Sequence, residues 1–188
     1  MDPKPYFEEL EALARISRDE LSPAIERFCS EAEKTIRSGG KILLMGNGGS
    51  ASDAQHIAAE FVGRYKKNRR AMPAMALSVN SSVVTSVAND YSYDEIFSRQ
   101  IEAFARRGDL VVGISTSGKS PNVLLALKTA RAAGCFTVGL LGHGGGTIKD
   151  AVDLPIVVPS SNTPRVQEIH ALIGHIVSEA VENSISAS

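Results

Sequence analysis

The chain has 188 residues, 43% of them hydrophobic, and this length and composition allow one ordinary globular domain with room for a helical extension. Twenty Lys and Arg residues against twenty-one Asp and Glu residues give a formal charge of -1, which removes the general attraction that a nucleic-acid or membrane-surface binder needs. We therefore expect no nucleic acid and no membrane as a partner. Since neither a membrane-spanning run nor a signal-peptide pattern is found, we expect a cytoplasmic protein.

The N-terminal segment carries apolar residues at helical spacing from about residue 7 to residue 37, and a pair of glycines closes it. We predict one or two helices there, forming an N-terminal helical extension over residues 1–38 that precedes a single globular unit over residues 39–188. Five short, nearly all-apolar runs in that unit are typical of strands covered on both faces. The predicted strands are residues 41–45, 74–78, 110–115, 136–141 and 154–158.

Helical stretches alternate with these strands. They are residues 51–65, 82–88, 95–106, 121–133 and 164–183. The alternation predicts an α/β fold with a doubly wound, five-stranded parallel sheet flanked by helices. Ligands of such sheets bind at the carboxyl ends of the strands, so the loops that follow the strands are the places to search for a site.

Three glycines follow the first predicted strand, in the segment GNGGS of residues 46–50. They let backbone N–H groups approach an anionic or polyhydroxyl ligand closely. The spacing is neither that of a dinucleotide fingerprint nor that of a P-loop, which argues against both kinds of nucleotide. We also expect a structural role for Ser50 as N-cap, with Asp53 as the acidic residue of a capping box.

Hydroxyl side chains cluster after the third predicted strand, in the segment STSGKSP of residues 115–121. A Ser-Pro helix start accounts for Ser120 and Pro121 but leaves Ser115, Thr116 and Ser117 unexplained. Hydroxyls, unpaired N–H groups and the positive end of a helix would converge there, so the segment predicts a site for a phosphate monoester.

His56 and Glu60 lie four residues apart on a predicted helix, about 40° apart on one face, where they could share a metal ion or a reacting proton. A single pair of this kind is usually just a solvated surface pairing. A second group on the last predicted helix, with Gln167, His170 and His175, strengthens the functional interpretation.

Other candidates are weaker. Asn89 and Asp90 form either a polar ligand contact or a helix-ending turn, and the sequence favours the turn. His143, in a glycine-rich segment, is interpreted as a mobile loop residue, and the basic residues between positions 64 and 70 as a solvated loop.

The chain resembles the sedoheptulose 7-phosphate isomerases, also called phosphoheptose isomerases, which are SIS domain proteins. Four separated segments carry the resemblance: GNGGSASDAQHIAAEFVGRY, AND, ISTSGKSPNV and RVQEIHALIGH. It implies a flavodoxin-like SIS domain that interconverts D-sedoheptulose 7-phosphate and D-glycero-D-manno-heptose 7-phosphate. That reaction is the first step towards nucleotide-activated heptose for bacterial surface polysaccharide.

The resemblance also implies roles for particular residues. The zinc ligands, for one ion per subunit, would be His56, Glu60, Gln167 and His175. Glu60 and His175 also match the residues with general acid and base roles, and the sequence leaves this double role open. The implied contacts to the sugar phosphate are Asn47, Gly48, Gly49, Ser50, Asn89, Asp90, Ser115, Thr116, Ser117, Ser120 and Gln167.

Two alternatives remain. One is a non-catalytic SIS module that binds a sugar phosphate or a replication initiator; such proteins lack the glutamate that matches Glu60, which favours the enzyme. The other is isomerisation of a different sugar phosphate, such as arabinose 5-phosphate, by enzymes that usually carry regulatory domains as well.

The spacing of Gln167 and His175 bears on assembly. Eight residues on one continuous helix correspond to about 12 Å of rise and about 80° of rotation. Metal ligands must lie about 2 Å from one ion, so we expect His175 to come from a neighbouring chain, unless the helix is broken. With the homotetramers that the resemblance implies, this predicts active sites shared between subunits.

Overall fold

The structure, a computed structural model, describes residues 1–186. It opens with a single helix, α1 (Lys4–Arg37), which contains Pro23. A proline inside a helix removes one backbone hydrogen bond. The helix nevertheless continues, because its apolar stripe, including Leu13, Leu21 and Phe28, is buried in the core.

The other elements alternate as predicted. They are β1 (Ile42–Gly46), α2 (Gly49–Val62), β2 (Ala74–Ala76), α3 (Ser81–Asp90), α4 (Ser98–Phe104), β3 (Leu110–Ser115), α5 (Pro121–Ala132), β4 (Phe136–Leu141), β5 (Leu154–Val157) and α6 (Thr163–Ser186). The helix predicted over residues 95–106 is shorter, since a 3-10 turn at Tyr93–Glu95 precedes α4.

All five strands are parallel, in the order β2-β1-β3-β4-β5. This confirms the doubly wound sheet. After β2 the chain crosses back over β1 to form β3. The strand order therefore reverses between the neighbouring strands β1 and β3. Their carboxyl ends therefore form the topological switch point, where ligands of such folds bind. The loops at residues 46–50 and 115–120 meet there.

Side chains of the strands alternate between two apolar cores. Ile42 and Leu44 point into one core, beneath α1, α2 and α6, whereas Leu43 and Met45 point into the other, beneath α4 and α5. Burial on both faces explains why the strands read as continuous apolar runs. Since α1 packs into the first core, it is part of the same folded body as the sheet, and the division at residue 38 stays a prediction.

Among the described residues, no helix has both the length and the apolar character that spanning a membrane requires. The cytoplasmic location stays a prediction.

Candidate active site

The loop after β1 forms a sharp corner. Gly48 has a φ of 56° and is the N-cap of α2, which begins at Gly49. The expected capping box is therefore wrong: no side chain caps this end of the helix, and Ser50 lies buried inside its first turn. Asp53 is half-buried instead, and burial raises the pKa of its carboxyl group, although nearby His56 acts in the opposite direction.

The loop after β3 gathers the predicted hydroxyls. Ser115 Oγ lies 2.9 Å from Ser120 Oγ and 3.4 Å from Ser117 Oγ. Ser120 is the N-cap residue of α5 and Pro121 its first residue, as predicted, but the Ser120 hydroxyl faces Ser115 rather than the helix backbone. Hydroxyls thus converge at the start of a helix, an arrangement suited to an anion.

Glycine shapes this loop. Gly118 has a φ of 64°, and a β-carbon there would overlap the backbone of Gly145. The glycine-rich segment after β4 therefore packs directly against the hydroxyl loop and supports it. His143 lies in the same segment, exposed and with a φ of 48°, a conformation that a residue other than glycine rarely adopts.

The second group of predicted residues meets between α2 and α6. His56 Nε2 lies 2.8 Å from His175 Nε2 and 3.5 Å from Glu60 Oε1. The three candidate ligand atoms all lie within 4.8 Å of one another. Two imidazoles and a carboxylate form a donor set that Zn²⁺ accepts, so these residues fit the implied metal.

The packing of the two helices brings this cluster together. A β-carbon at Gly174 would approach Ile57 Cδ1 to 2.5 Å, and one at Gly49 would overlap the Gln167 amide. The helices therefore run in the same direction, with Gln167 beside the start of α2 and His175 beside its middle.

This arrangement corrects one expectation. The helix α6 is continuous from Gln167 to His175, so the break that we considered is absent. His175 meets His56 and Glu60 of its own chain, however, and needs no neighbouring chain to do so. The amide of Gln167 packs against Gly49, seven residues ahead of His56 on α2.

His170 has a different position. Its side chain is fully buried, and Nε2 lies 3.1 Å from the carbonyl oxygen of Leu141 at the end of β4. Burial lowers the pKa of His170 to about 4, so the ring is neutral near pH 7. It donates to that carbonyl and helps to fix the end of β4, apart from the cluster of His56, Glu60 and His175.

Asn89 and Asp90 are the last residues of α3, and Tyr91 is its C-cap. Both are exposed, and Asn89 Nδ2 donates to Asp90 Oδ1 at 2.9 Å. They end a helix, in keeping with the turn that the sequence favoured, and their predicted contact with substrate stays a prediction.

Sequence reasoning missed a buried ion pair. The sequence predicts a solvated loop around Arg69, but the Arg69 side chain is 4% exposed and lies 3.2 Å from Glu182, whose side chain is 1% exposed. Arg69 also donates to the carbonyls of Glu60 and Phe61 at the end of α2. The pair thus connects the carboxyl end of α2 to α6. The second missed residue is Asn122, which is buried beside Asn47.

The fold and the site define a class of protein, the SIS domain proteins, and the profile of that family, described as "SIS domain", matches residues 5–142. A phosphoheptose isomerase of Geobacter sp. (strain M21) is 58% identical over 166 residues, 88% of this chain and 86% of that one. Another, from Geobacter metallireducens, is 53% identical over 180 residues, which are 96% of this chain and 93% of that one.

A solved structure of the phosphoheptose isomerase from Neisseria gonorrhoeae superposes with a TM-score of 0.91 at 36% identity, over 96% of either chain. The chain therefore belongs to the phosphoheptose isomerases, within the SIS domain family.

Proposed function

We propose that the protein interconverts D-sedoheptulose 7-phosphate and D-glycero-D-manno-heptose 7-phosphate. Three phosphoheptose isomerases are 48% to 58% identical to it. The matched regions cover 86% to 96% of their own lengths. The observation that carries the proposal is the cluster of His56, Glu60 and His175. A module that only bound a sugar phosphate would have no use for a carboxylate and two imidazoles in contact.

The reaction moves a carbonyl group from C2 to C1. Glu60 would take a proton from C1 and return it to C2 after the enediol has formed, as a general base and then a general acid. Over the same reaction O2 gains a proton and O1 loses one, and His175 would carry this transfer between the oxygens. The N–H group of His175 would give its proton to O2, and the same nitrogen would then take the proton from O1, so the other ring nitrogen can bind a metal.

We assign a zinc site to His56, Glu60, Gln167 and His175. When bound, zinc would polarise the carbonyl oxygen and stabilise negative charge on the enediolate. A carboxylate has two oxygens, so ligation by one oxygen of Glu60 leaves the other able to accept a proton. Glu60 would thus be able to act as a ligand and as a base at the same time.

The hydroxyl loop would hold the phosphate group at the far end of the substrate. Ser115, Thr116, Ser117 and Ser120 supply the donors, and the start of α5 adds a partial positive charge. Remote binding energy would thereby fix the reacting carbons beside the acid and base. The sugar hydroxyls would meet Asn47, Gly48, Gly49, Ser50, Asn89, Asp90 and Gln167.

We further propose a homotetramer with shared active sites. Within one chain, Gln167 packs at the start of α2, whereas His56, Glu60 and His175 cluster further along the helix. A neighbouring subunit could supply the amide ligand to this cluster, or the residues that complete the sugar site.

The test is an assay of the purified protein with sedoheptulose 7-phosphate, in which the aldose product is followed over time. We expect turnover that a chelator abolishes and zinc restores. Binding of the sugar phosphate without any aldose product would contradict the proposal and favour the non-catalytic SIS module.

A further inference from the structure

Two side-chain amides join the end of β1 to the start of α5. Asn47 Nδ2 donates to Asn122 Oδ1, and Asn122 Nδ2 donates to Asn47 Oδ1, both at 2.9 Å. Asn122 is 1% exposed and is the second residue of α5. The amide pair therefore connects the glycine loop of residues 46–50 with the first turn of α5, directly after the hydroxyl loop of residues 115–120, across the switch point.

The hydrogen bonds around the pair determine which end of each amide is the oxygen and which is the nitrogen. The backbone N–H of Val123 donates to Asn122 Oδ1 at 2.9 Å, and a backbone N–H can only donate. This places the Asn122 oxygen toward Val123, so that Asn122 Nδ2 faces Asn47 Oδ1. The Asn47 oxygen also lies 3.2 Å from the Tyr93 hydroxyl, which donates to it.

These contacts occupy the Asn47 oxygen twice and the Asn47 nitrogen once. An amide nitrogen has two N–H groups, so Asn47 keeps one donor that the amide pair does not use. Turning the amide over would place the Asn47 nitrogen against the Asn122 nitrogen and leave buried groups unpaired, which is costly.

We propose that Asn122 is a positioning residue, which fixes the amide of Asn47 so that it presents an N–H group to an oxygen of the sugar. The proposal rests on the proposed function, because Asn47 is a substrate contact there. Asn122 itself touches no substrate atom and acts through Asn47 alone.

A double-mutant cycle tests this role, with kcat and KM for sedoheptulose 7-phosphate measured for Asn47→Ala, Asn122→Ala and the double variant. We expect each single change to lower kcat/KM about tenfold or more, and Asn122→Ala to have less than about a twofold effect once Asn47 is alanine. If the two losses multiply in the double variant, or if Asn47→Ala has no effect, the proposal is wrong.

A further variant tests whether the Asn47 side chain acts as a hydrogen-bond donor to the sugar. Asn47→Asp keeps the size of the side chain but has no N–H group, so we expect it to lose at least as much kcat/KM as Asn47→Ala. Activity close to that of the wild-type protein would overturn the assignment.

Gln100→Ala is the matched control for the loss of a buried amide. Gln100 is 5% exposed and donates to the carbonyls of Leu77 and Ile96 rather than to Asn47. We expect this variant to melt at a lower temperature with unchanged kcat/KM.

If Asn122→Ala fails to fold, Tyr93→Phe replaces it in the cycle, because Tyr93 is 56% exposed and its hydroxyl reaches the same Asn47 oxygen. Its loss of about twofold to threefold should disappear when Asn47 is alanine.

A binding measurement separates the positioning role from the proposed function. Reduction of sedoheptulose 7-phosphate gives heptitol 7-phosphates, which cannot be isomerised, and calorimetry gives their Kd for the same variants. A wild-type protein that binds them without turning over the ketose would refute the isomerase function, while the Kd cycle would still decide the role of Asn122. A wild-type protein that binds neither compound would overturn both.

Discussion

The serine hydroxyls of the β3–α5 loop contact one another, with Ser115 Oγ between Ser117 Oγ and Ser120 Oγ. Each hydroxyl can donate one hydrogen bond, and the proton is able to rotate toward a new acceptor. When a phosphate group arrives, these protons can turn from neighbouring oxygens to the anion. Hydrogen bonds to a charged group are about twice as strong as neutral ones, which favours that exchange.

We predict that replacing Ser117 and Ser120 together by alanine weakens binding of the phosphorylated heptulose by about 2–3 kcal/mol. The binding of sedoheptulose without the phosphate should weaken far less, because the loop binds the phosphate group. Calorimetry with both ligands measures the difference. Ser30→Ala is the control, since the Ser30 hydroxyl donates to the carbonyl oxygen of Glu26 within α1. Equal losses for the two ligands would show that the loop does not recognise phosphate.

At the scale of elements, the pair of Arg69 and Glu182 joins α2 to α6. Glu182 accepts hydrogen bonds from the backbone N–H groups of Tyr65, Lys66 and Lys67, and Arg69 contacts it from the side. Burial raises the pKa of Glu182, but the three N–H groups and Arg69 together lower it below its usual value. The same two helices carry His56, Glu60 and His175, so this pair supports the geometry of the cluster.

We expect Glu182→Gln to lower the free energy of unfolding by about 3 kcal/mol at pH 7, because it leaves Arg69 buried without its counter-ion. Glu179→Gln should cost less than about 1 kcal/mol, since its partner Lys66 is 59% exposed and screened by water. Urea unfolding of both variants gives these values. A loss no larger in Glu182→Gln than in Glu179→Gln would contradict the structural role.

The same pair predicts a pH dependence. The folded-state pKa of Glu182 lies below the unfolded value, so the stabilisation is present above the unfolded pKa of about 4.3 and is lost as pH falls through the folded pKa. Between pH 7 and pH 3, wild-type stability should therefore fall more steeply than that of Glu182→Gln. Parallel slopes for the two proteins would show that Glu182 does not contribute.

Sequence reasoning predicted the elements best where burial is complete. The bounds of β3 and β4 agree with the prediction because both strands are nearly all apolar and lie inside the sheet. The start of α2 was misplaced, because the positive φ of Gly48 lets the helix begin before Ser50. Arg69 was misjudged since its partner lies 113 residues further along the chain.

In the candidate site, too, the sequence predicts local spacing but not the contacts between helices that are far apart in the chain. Motif spacing put His56 and Glu60 on one face of α2, and the structure agrees. Helix geometry alone also indicated that Gln167 and His175 lie too far apart to meet easily. It did not predict that His175 meets His56 of its own chain, because that depends on how α2 and α6 pack.

At the scale of the whole molecule, α1 and α6 leave apolar side chains in contact with solvent. Ile16 is 45% exposed, Leu172 47% and Ile176 39%. A groove of about 330 Å³ between the two helices is lined by residues including Ile25, Leu172 and Ile176. Such a face suits association with further copies of the chain, in keeping with the proposed homotetramer.

Shared active sites predict complementation between inactive subunits. Gln167→Ala and His175→Ala should each be inactive alone, and hybrids formed by mixing them should regain activity at sites that combine a native Gln167 with a native His175. Native mass spectrometry verifies the hybrids and gives the number of subunits. Verified hybrids without activity, or an active monomer, would contradict the shared-site proposal.

Exchange of the C1 protons of sedoheptulose 7-phosphate in D₂O, followed by proton NMR, tests most directly that Glu60 removes a proton from the substrate. The wild-type protein should exchange a C1 proton with solvent and form the aldose. Glu60→Gln should slow both by about 10³-fold or more with its fold intact, because glutamine keeps the shape but cannot accept the proton. Glu179→Gln on α6 is the matched control and should behave as the wild-type protein does. Exchange at the wild-type rate in Glu60→Gln would contradict the assignment of the base and, with it, the active site described above.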